Sequence, residues 1–427
     1  MSISTLAVII VAAIFAQLAI LLVLDLYRRQ QRFHDQAQSR EPLSAPASGR
    51  PDTSASALPV STALAWEGYR EFQVQHRVVE DTAQSICSFY LVPVDGRPLP
   101  PYKPGQFLTF KLPIVDPVTH ESRTIVRCYS LSDCSSPDHY RVSIKRVPAP
   151  ADKPGLPPGL SSSYFHDFVK TGSHLMVKAP SGHFHLQEDA SLPVVLIAGG
   201  IGITPMLSIL NTLINKSGGR EIWLYYGVRN GAEPIHKEYL RSLTKEHANF
   251  HLYMCFSNPA SGDIEGVDYQ HKGRVDIPLL RTTLPLRRYQ FYICGPKSMM
   301  ECLVPGLEDW GVAADDIFYE SFGPATLNRP NKSGISTENI SGQNFTITFS
   351  KSGKQIPWDT HAGSLLEFAE AHNIEVESGC RAGSCGSCQT PLQSGEIVYS
   401  QQPDADVKPG CCLLCIATPK SDLSLAI

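Results

Sequence analysis

The sequence predicts a multidomain fold: an N-terminal transmembrane helix, an antiparallel β-barrel domain, an α/β domain on a parallel sheet, and a small α+β domain at the C-terminus. Three observations carry this reading. Residues 3–24 are uncharged and mostly apolar. Near Pro193 the pattern changes from short β-rich runs broken by Gly and Pro to strands alternating with helices. Six of the 12 cysteines crowd into residues 380–415.

The first element is the run "ISTLAVIIVAAIFAQLAILLVL". As a helix it would be about 33 Å long, enough for a hydrocarbon core of about 30 Å. Nothing basic precedes it, whereas Arg28, Arg29 and Arg32 follow. A cleaved signal would carry its basic residues on the opposite flank. The charge bias therefore predicts a single-pass anchor over residues 1–33, with the N-terminus outside and the catalytic domains in the cytoplasm. Residues 34–63, rich in Ser, Ala and Pro, read as a flexible linker.

Three globular regions follow. Residues 64–188 hold "REFQVQHRVV", "SICSFYLVPV", "GQFLTFKLPI" and "HYRVSIKRV", strands at a spacing that suggests an antiparallel barrel. Residues 189–325 hold the strands "VVLIAGG", "EIWLYYGV", "FHLYMCF" and "YQFYICG", with "TPMLSILNTLINK" and "KEYLRSLTKEH" as helices between them. Residues 326–342 form a polar linker. Residues 343–427 hold a strand pair, the helix "SLLEFAEAHN" and the cysteine loop. The net charge of −4 and the absence of a Lys/Arg cluster exclude nucleic acid as the main partner.

The cysteines run C-x4-C-x2-C from Cys380 through Cys385 to Cys388, then 26 residues to Cys415. This is the ligand spacing of a plant-type [2Fe–2S] centre. Three thiolates from one loop require small residues around the cluster, and Gly379, Ala382, Gly383, Ser384, Gly386 and Ser387 supply them. A zinc site built from Cys385-x2-Cys388 and Cys412-x2-Cys415 is the alternative. It leaves Cys380 and the six small residues without a purpose.

"AGGIGITPM" directly follows the strand "VVLIA". Gly200 and Gly202 let backbone approach a pyrophosphate, and Thr204 is expected to cap the next helix, with Pro205 at its first position. In "RCYS", Arg127 offers a fork to a phosphate and Tyr129 a ring and hydroxyl to a flavin. The serines at 161–163 sit at a helix start that favours an anion.

Taken in order, "RCYS", "SIKRV", "GLSSSYF", "APSGHF", "AGGIGITPM", "YICGPKSMM" and "FYESFG" resemble the ferredoxin–NADP reductase superfamily. With the C-terminal cysteines, the domain order is similar to that of oxygenase reductases of the phthalate dioxygenase reductase type. The resemblance implies a flavin β-barrel, a nucleotide-binding α/β domain and a β-grasp ferredoxin domain. It implies flavin contacts from Arg127, Tyr129, Ser130, Lys145, Ser161 and Ser162. It places Gly200, Gly202, Thr204, Gly295 and Pro296 at the nucleotide, Cys294 near the nicotinamide and Phe322 over the flavin. Cys415 completes the ligand set, because "GCCLLCIATP" is similar to the ending of such ferredoxins. Glu320 is either an aid to proton movement or a surface residue. The long "RVPAPADKPGLPPGLSSS" loop is closer to the FAD-binding branch than to FMN users. "CFSNP" lacks the Arg with which relatives hold a 2′-phosphate, which points to NADH, although Arg229 offers a substitute for NADPH.

The implied activity is electron transfer from NAD(P)H through FAD and [2Fe–2S] to an acceptor protein: an oxygenase, hydroxylase, desaturase or P450. The anchor tilts the choice toward a membrane-bound hydroxylase or desaturase. Two alternatives stand beside it: a flavin reductase with a zinc-stabilised interaction module, and a membrane-tethered redox sensor.

Overall fold

The computed structural model describes residues 65–115, 122–149, 157–187, 191–216, 219–322, 345–359, 362–401, 403 and 405–427. The expected transmembrane helix and both linkers lie outside the described residues. Among the described residues no helix is long and apolar enough to cross a membrane.

The first sheet contains β1 (Arg70–Val79), β2 (Ile86–Pro93), β3 (Phe107–Val115), β4 (Ser122–Ser130), β5 (Tyr140–Lys145) and β6 (His174–Ser181), with helix α1 (Leu160–Asp167) before β6. The order is β4-β3-β6-β1-β2-β5 and every pairing is antiparallel. A bridge from Leu131 to Val142 brings the β4 end onto β5 and closes the barrel. The alternation in "FLTFKLPIV" explains how β3 sits. Leu108, Phe110 and Leu112 enter the core, while Lys111 and Pro113 face out. Phe165 of α1 plugs the same core. The reading of the sequence contained no strand over β6, which nevertheless lies between β3 and β1.

The second sheet contains β7 (Val194–Gly199), β8 (Ile222–Val228), β9 (Phe250–Phe256), β10 (His271–Lys272), β11 (Gln290–Gly295) and β12 (Ile317–Ser321). Helices α2 (Ile203–Asn215), α3 (Lys237–Glu246), α4 (Ile277–Thr283) and α5 (Lys297–Asp309) connect them. The order is β10-β9-β8-β7-β11-β12, all parallel. Strands such as "VVLIAG" are apolar without alternation because two separate cores cover the two faces. The chain winds outward from β7 to β10, then returns to place β11 on the other side of β7. That reversal opens a crevice at the carboxyl ends of β7 and β11.

The third unit contains β13 (Thr346–Phe349), β14 (Lys354–Pro357), α6 (Leu365–Ala371), β15 (Gln389–Ser394), β16 (Ile397–Tyr399), β17 (Cys411–Leu413), β18 (Ala417–Pro419) and β19 (Leu423–Leu425). The main sheet runs β14-β13-β19-β15-β17, and β16 pairs with β18. Ser364 Oγ accepts from Glu367 N at 3.2 Å, fixing the start of α6. Leu365, Phe368 and Ala369 then bury against Ile347 and Phe349. A helix laid over a mixed sheet is the β-grasp arrangement. It frees the 372–388 segment to curl between α6 and β15.

Candidate cofactor sites

Strand alternation splits the "RCYS" motif between two faces of β4. Arg127 and Tyr129 share one face. The Tyr129 hydroxyl lies 2.7 Å from Ser161 Oγ, and its ring packs edge-on against Phe165 at 5.2 Å. Arg127 is exposed and its guanidinium donates to Val126 O at 2.7 Å. Ser162 is spent on structure: it donates to Gly159 O and accepts from Val147 N. Ser163 Oγ, by contrast, is buried without a hydrogen-bond partner. A hydroxyl left open at the start of α1 fits the phosphate of a flavin nucleotide. Lys145 Nζ lies 3.9 Å from Glu233.

At the crevice, Gly200 has φ +55° and open space where a Cβ would stand. That gap is what a backbone cradle for a pyrophosphate needs. Gly202 serves a different end. A Cβ there would lie 2.1 Å from the Cys294 carbonyl oxygen, so the turn presses directly on β11. The expected Thr204 cap is corrected by the structure. Gly202 is the capping residue, Ile203 is the first helical position, and Thr204 and Pro205 lie inside the helix. Because Thr204 is already helical, its hydroxyl donates back to Ile201 O at 3.0 Å. Gly295 ends β11 against Gly199, and Pro296 caps α5. Arg229 is engaged by Glu233, with guanidinium to carboxylate at 2.5 Å.

Cys294 is fully buried and stands opposite Glu320 in the β11–β12 register. Burial pushes its thiol well above the ordinary range. Glu320 as a residue is half-buried, but its Oε2 is sealed from solvent without a partner. Burial pushes its carboxyl up to about 8, against the lowering effect of a hydrogen bond with Ser130. Ser130 on β4, Cys294 on β11 and Glu320 on β12 thus gather where barrel and crevice meet. Phe322 follows β12 with 38% of its surface exposed, so its ring is available as a cover.

The cysteine loop folds around its own sulphurs. The amides of Ala382, Ser384 and Cys385 donate to Cys380 Sγ at 3.3–3.4 Å, and Cys380 N donates to Cys385 Sγ at 3.3 Å. Positive φ at Arg381, Gly383 and Gly386 makes this curl possible. The four cysteines sit as two neighbouring pairs: Cys380 and Cys385 are joined by the amide bonds just given, and Leu414 N donates to Cys388 O at 3.3 Å, which brings Cys415 to Cys388. Two pairs suit two irons that each take two protein sulphurs. Among the described residues no three such side chains converge as on a single metal ion. Cys411 and Cys412 lie on β17, paired with Pro391 and Thr390. Two contacts unforeseen in the sequence reach this loop from the barrel. Lys178 Nζ donates to Cys385 O at 2.9 Å, and Val126 Cγ1 lies 3.2 Å from where a Cβ on Gly379 would stand.

Comparison with known proteins agrees with this geometry. Residues 196–304 match the family model of the oxidoreductase NAD-binding domain, and residues 347–420 match that of the 2Fe-2S iron-sulfur cluster binding domain. A flavohemoprotein of Halalkalibacterium halodurans is 38% identical over 260 residues, covering 61% of this chain and 61% of that protein. The chain thus spans about three fifths of the length of such relatives. The flavohem-like FAD/NAD binding domain of nitric oxide dioxygenase from Vibrio cholerae is 32% identical, with 60% of this chain and 100% of that chain covered and a TM-score of 0.51. A type IV self-sufficient cytochrome P450 monooxygenase is 23% identical, with 84% of this chain and 41% of that chain covered and a TM-score of 0.53. That last likeness is one of fold.

Proposed function

The chain belongs to the ferredoxin–NADP reductase superfamily, as an oxidoreductase that uses NAD(P)H, FAD and a [2Fe–2S] cluster, and from that premise we propose that it is a membrane-anchored reductase serving an oxygenase, hydroxylase, desaturase or P450. The groups, when bound, supply a two-electron hydride donor, a carrier that converts pairs to single electrons, and a one-electron outlet. The protein's part is to position them. Gly200 opens the pyrophosphate cradle, Gly202 sets its distance from Cys294, and Tyr129 with Ser161 and Ser163 shapes the flavin wall. Glu320 and Ser130 hold a proton beside Cys294. Cys380, Cys385, Cys388 and Cys415 hold the cluster.

The observation that carries this reading is the hydrogen bond from Lys178 of the barrel to Cys385 of the cysteine loop, at 2.9 Å. It joins the flavin barrel to the cluster loop, as a relay between them requires. The uncharged run at 3–24 and the arginines behind it support anchoring, with the catalytic domains in the cytoplasm. The free Arg229 alternative for NADPH is weakened by its pairing with Glu233, which favours NADH.

The test is metal and flavin analysis of the purified chain, followed by NADH and NADPH turnover with ferricyanide or cytochrome c. About two irons and one FAD per chain, with NADH preferred, are expected. A chain that carries zinc, or that consumes no reduced nicotinamide, defeats the proposal. Fractionation of expressing cells, with and without residues 1–33, tests the anchor: full-length chain in the soluble fraction would contradict it.

A further inference from the structure

Helix α1 carries its serines toward the flavin at one end and is tied to three barrel strands at the other. At the first end, Ser161 Oγ meets the Tyr129 hydroxyl, and Ser163 Oγ is buried without a partner. His166 stands four residues beyond Ser162 and three beyond Ser163, on the same side of the helix. Its Nε2 lies 2.9 Å from Ile144 O of β5. A carbonyl oxygen only accepts, so Nε2 carries the imidazole proton and Nδ1 keeps a lone pair. That lone pair faces Cys87 Sγ of β2 at 3.7 Å, so the thiol donates to it. Arg77 of β1 completes the run. Its Nη2 donates to Cys87 Sγ at 3.3 Å and to His166 O at 3.1 Å. Beside it, Arg146 just past β5 holds Asp167 with two bonds, at 2.7 and 2.8 Å.

The direction of this run excludes a second proton on the ring. A protonated Nδ1 would present an N–H to a sulphur that already accepts from Arg77. The charges around it add to the conflict. Arg77 and Arg146 are cations, and Asp167 is engaged by Arg146. Near Cys87, Asp81 accepts from Ile86 N and Ser85 Oγ, and Glu80 faces His236 at 3.3 Å. From β3 comes the apolar ring of Phe110, 5.3 Å from Phe165. Burial pulls the imidazole below its ordinary range, and Arg146 and Arg77 add to this against the Ile144 bond and Asp167.

We propose that neutral His166 is a positioning residue for the flavin: by bonding α1 to β2 and β5 it holds the serine end of the helix at the flavin phosphate, and its protonation in acid releases the flavin. This rests on the FAD reading made above and adds a residue that stands outside the flavin contacts. The sign follows from which state keeps the proton off, namely the flavin-bound one. Retention is full above the ordinary imidazole range, about 6.5. It falls as pH drops below that range, by at most about tenfold per unit for one proton.

The experiment measures FAD dissociation from the full chain by ultrafiltration between pH 5 and pH 8, with far-UV circular dichroism over the same range, for the parent, H166Q and H166A. The parent is expected to lose FAD affinity at least about threefold from pH 7 to pH 5, with its far-UV signal constant. Gln keeps an amide N–H for Ile144 O but does not titrate, so H166Q is expected to bind FAD within about twofold of the parent at pH 8, without the acid slope. H166A lacks both bonds and is expected to bind roughly twofold to tenfold more weakly at pH 8, again without slope. A parent that retains FAD equally at pH 5 and pH 8 overturns the proposal, whichever variants fold. So does an acid slope in H166Q as steep as the parent's, or FAD loss in step with loss of the far-UV signal. A parent that holds no FAD at any pH overturns the flavin reading itself, and is thereby distinguished from a flat profile.

Discussion

Replacing Gly202 by Ala isolates one steric contact at the nucleotide site. Gly202 has φ −60° and ψ −5°, which alanine adopts without strain. In the unfolded chain alanine even has the advantage, by about 0.4–1 kcal/mol. What opposes it is space. The new Cβ would stand 2.1 Å from Cys294 O, 2.5 Å from Cys294 C and 2.9 Å from Gly295 N. All three are backbone atoms of β11, which is clamped between β7 and β12, so no rotamer change makes room. Ordinary carbon contacts begin near 3.5 Å, so the turn must retreat by roughly 1 Å. Overpacking of this kind costs about 1–3 kcal/mol, and a misplacement of that size near a reacting centre costs on the order of 100-fold in rate. Anaerobic stopped-flow bleaching of the flavin by NADH reads the rate, and urea titration reads the stability. The comparator is Gly200→Ala, where φ is +55° and no atom lies within 4 Å. It is expected to weaken nucleotide binding through strain and obstruction of the cradle, with Cys294 undisturbed. If G202A bleaches within twofold of the parent, the close approach of the turn to Cys294 does not position the nucleotide, and the reasoning is refuted.

Further outcomes follow from the same structure. Glu320 is held up to about 8 from an ordinary 4.5, so between those values the native state binds a proton that the unfolded chain lacks. That stability is present at low pH and is lost as pH rises toward 8, at up to about 1.4 kcal/mol per unit. Glu320→Gln should flatten this slope in urea melts across pH 5–8, and an unchanged slope would show that the carboxyl is not buried as described. Serine at Cys380, Cys385, Cys388 or Cys415 should abolish the visible bands of the cluster and its iron. Serine at Cys411 or Cys412 should leave both, and iron loss in C412S with retention in C415S would reverse the ligand assignment. Tyr129→Phe removes the hydroxyl that lies 2.7 Å from Ser161. It should weaken flavin retention by roughly twofold to tenfold, measured by ultrafiltration at graded protein concentrations, and equal retention would remove Tyr129 from the flavin wall.

Local sequence carried the parts of this fold that local physics decides. The apolar run "VVLIAGG" and the β-rich run "GQFLTFKLPI" both read as strands, and both lie in strands, β7 and β3. The Cys380–Cys388 spacing with its small residues announced a loop curled around sulphur, and the amides do point at Cys380 Sγ. Thr204 was misjudged because capping depends on where the helix begins. The 3-10 turn over Gly200–Gly202 starts the helical backbone two residues early, leaving Thr204 inside. Strand β6 lacks a clean local signal because the alternation through Leu175 and Val177 gives way to Ala179, Pro180 and Ser181, all buried in succession, and Pro argues against a strand inside a sheet. Its place in the sheet comes from pairing with β1 and β3, which no local signal encodes.

The row Lys178–Thr109–Cys128 shows most clearly where such reading stops. Its members are separated by 19 and 50 residues, and each taken alone is an unremarked strand residue. They become one surface only through the β6–β3–β4 register. That register is fixed by the core side chains on the opposite face: a one-residue slip of β4 would drive Cys128 into the barrel and turn Tyr129 out. The apolar packing that closes the barrel thereby also decides that Tyr129 of "RCYS" meets Ser161 and that Cys128 meets Thr109 on the opposite face. A substitution that lets β4 slip would uncouple both contacts at once, whereas loss of the Cys128 thiol alone leaves the barrel closed and removes only the contact with Thr109.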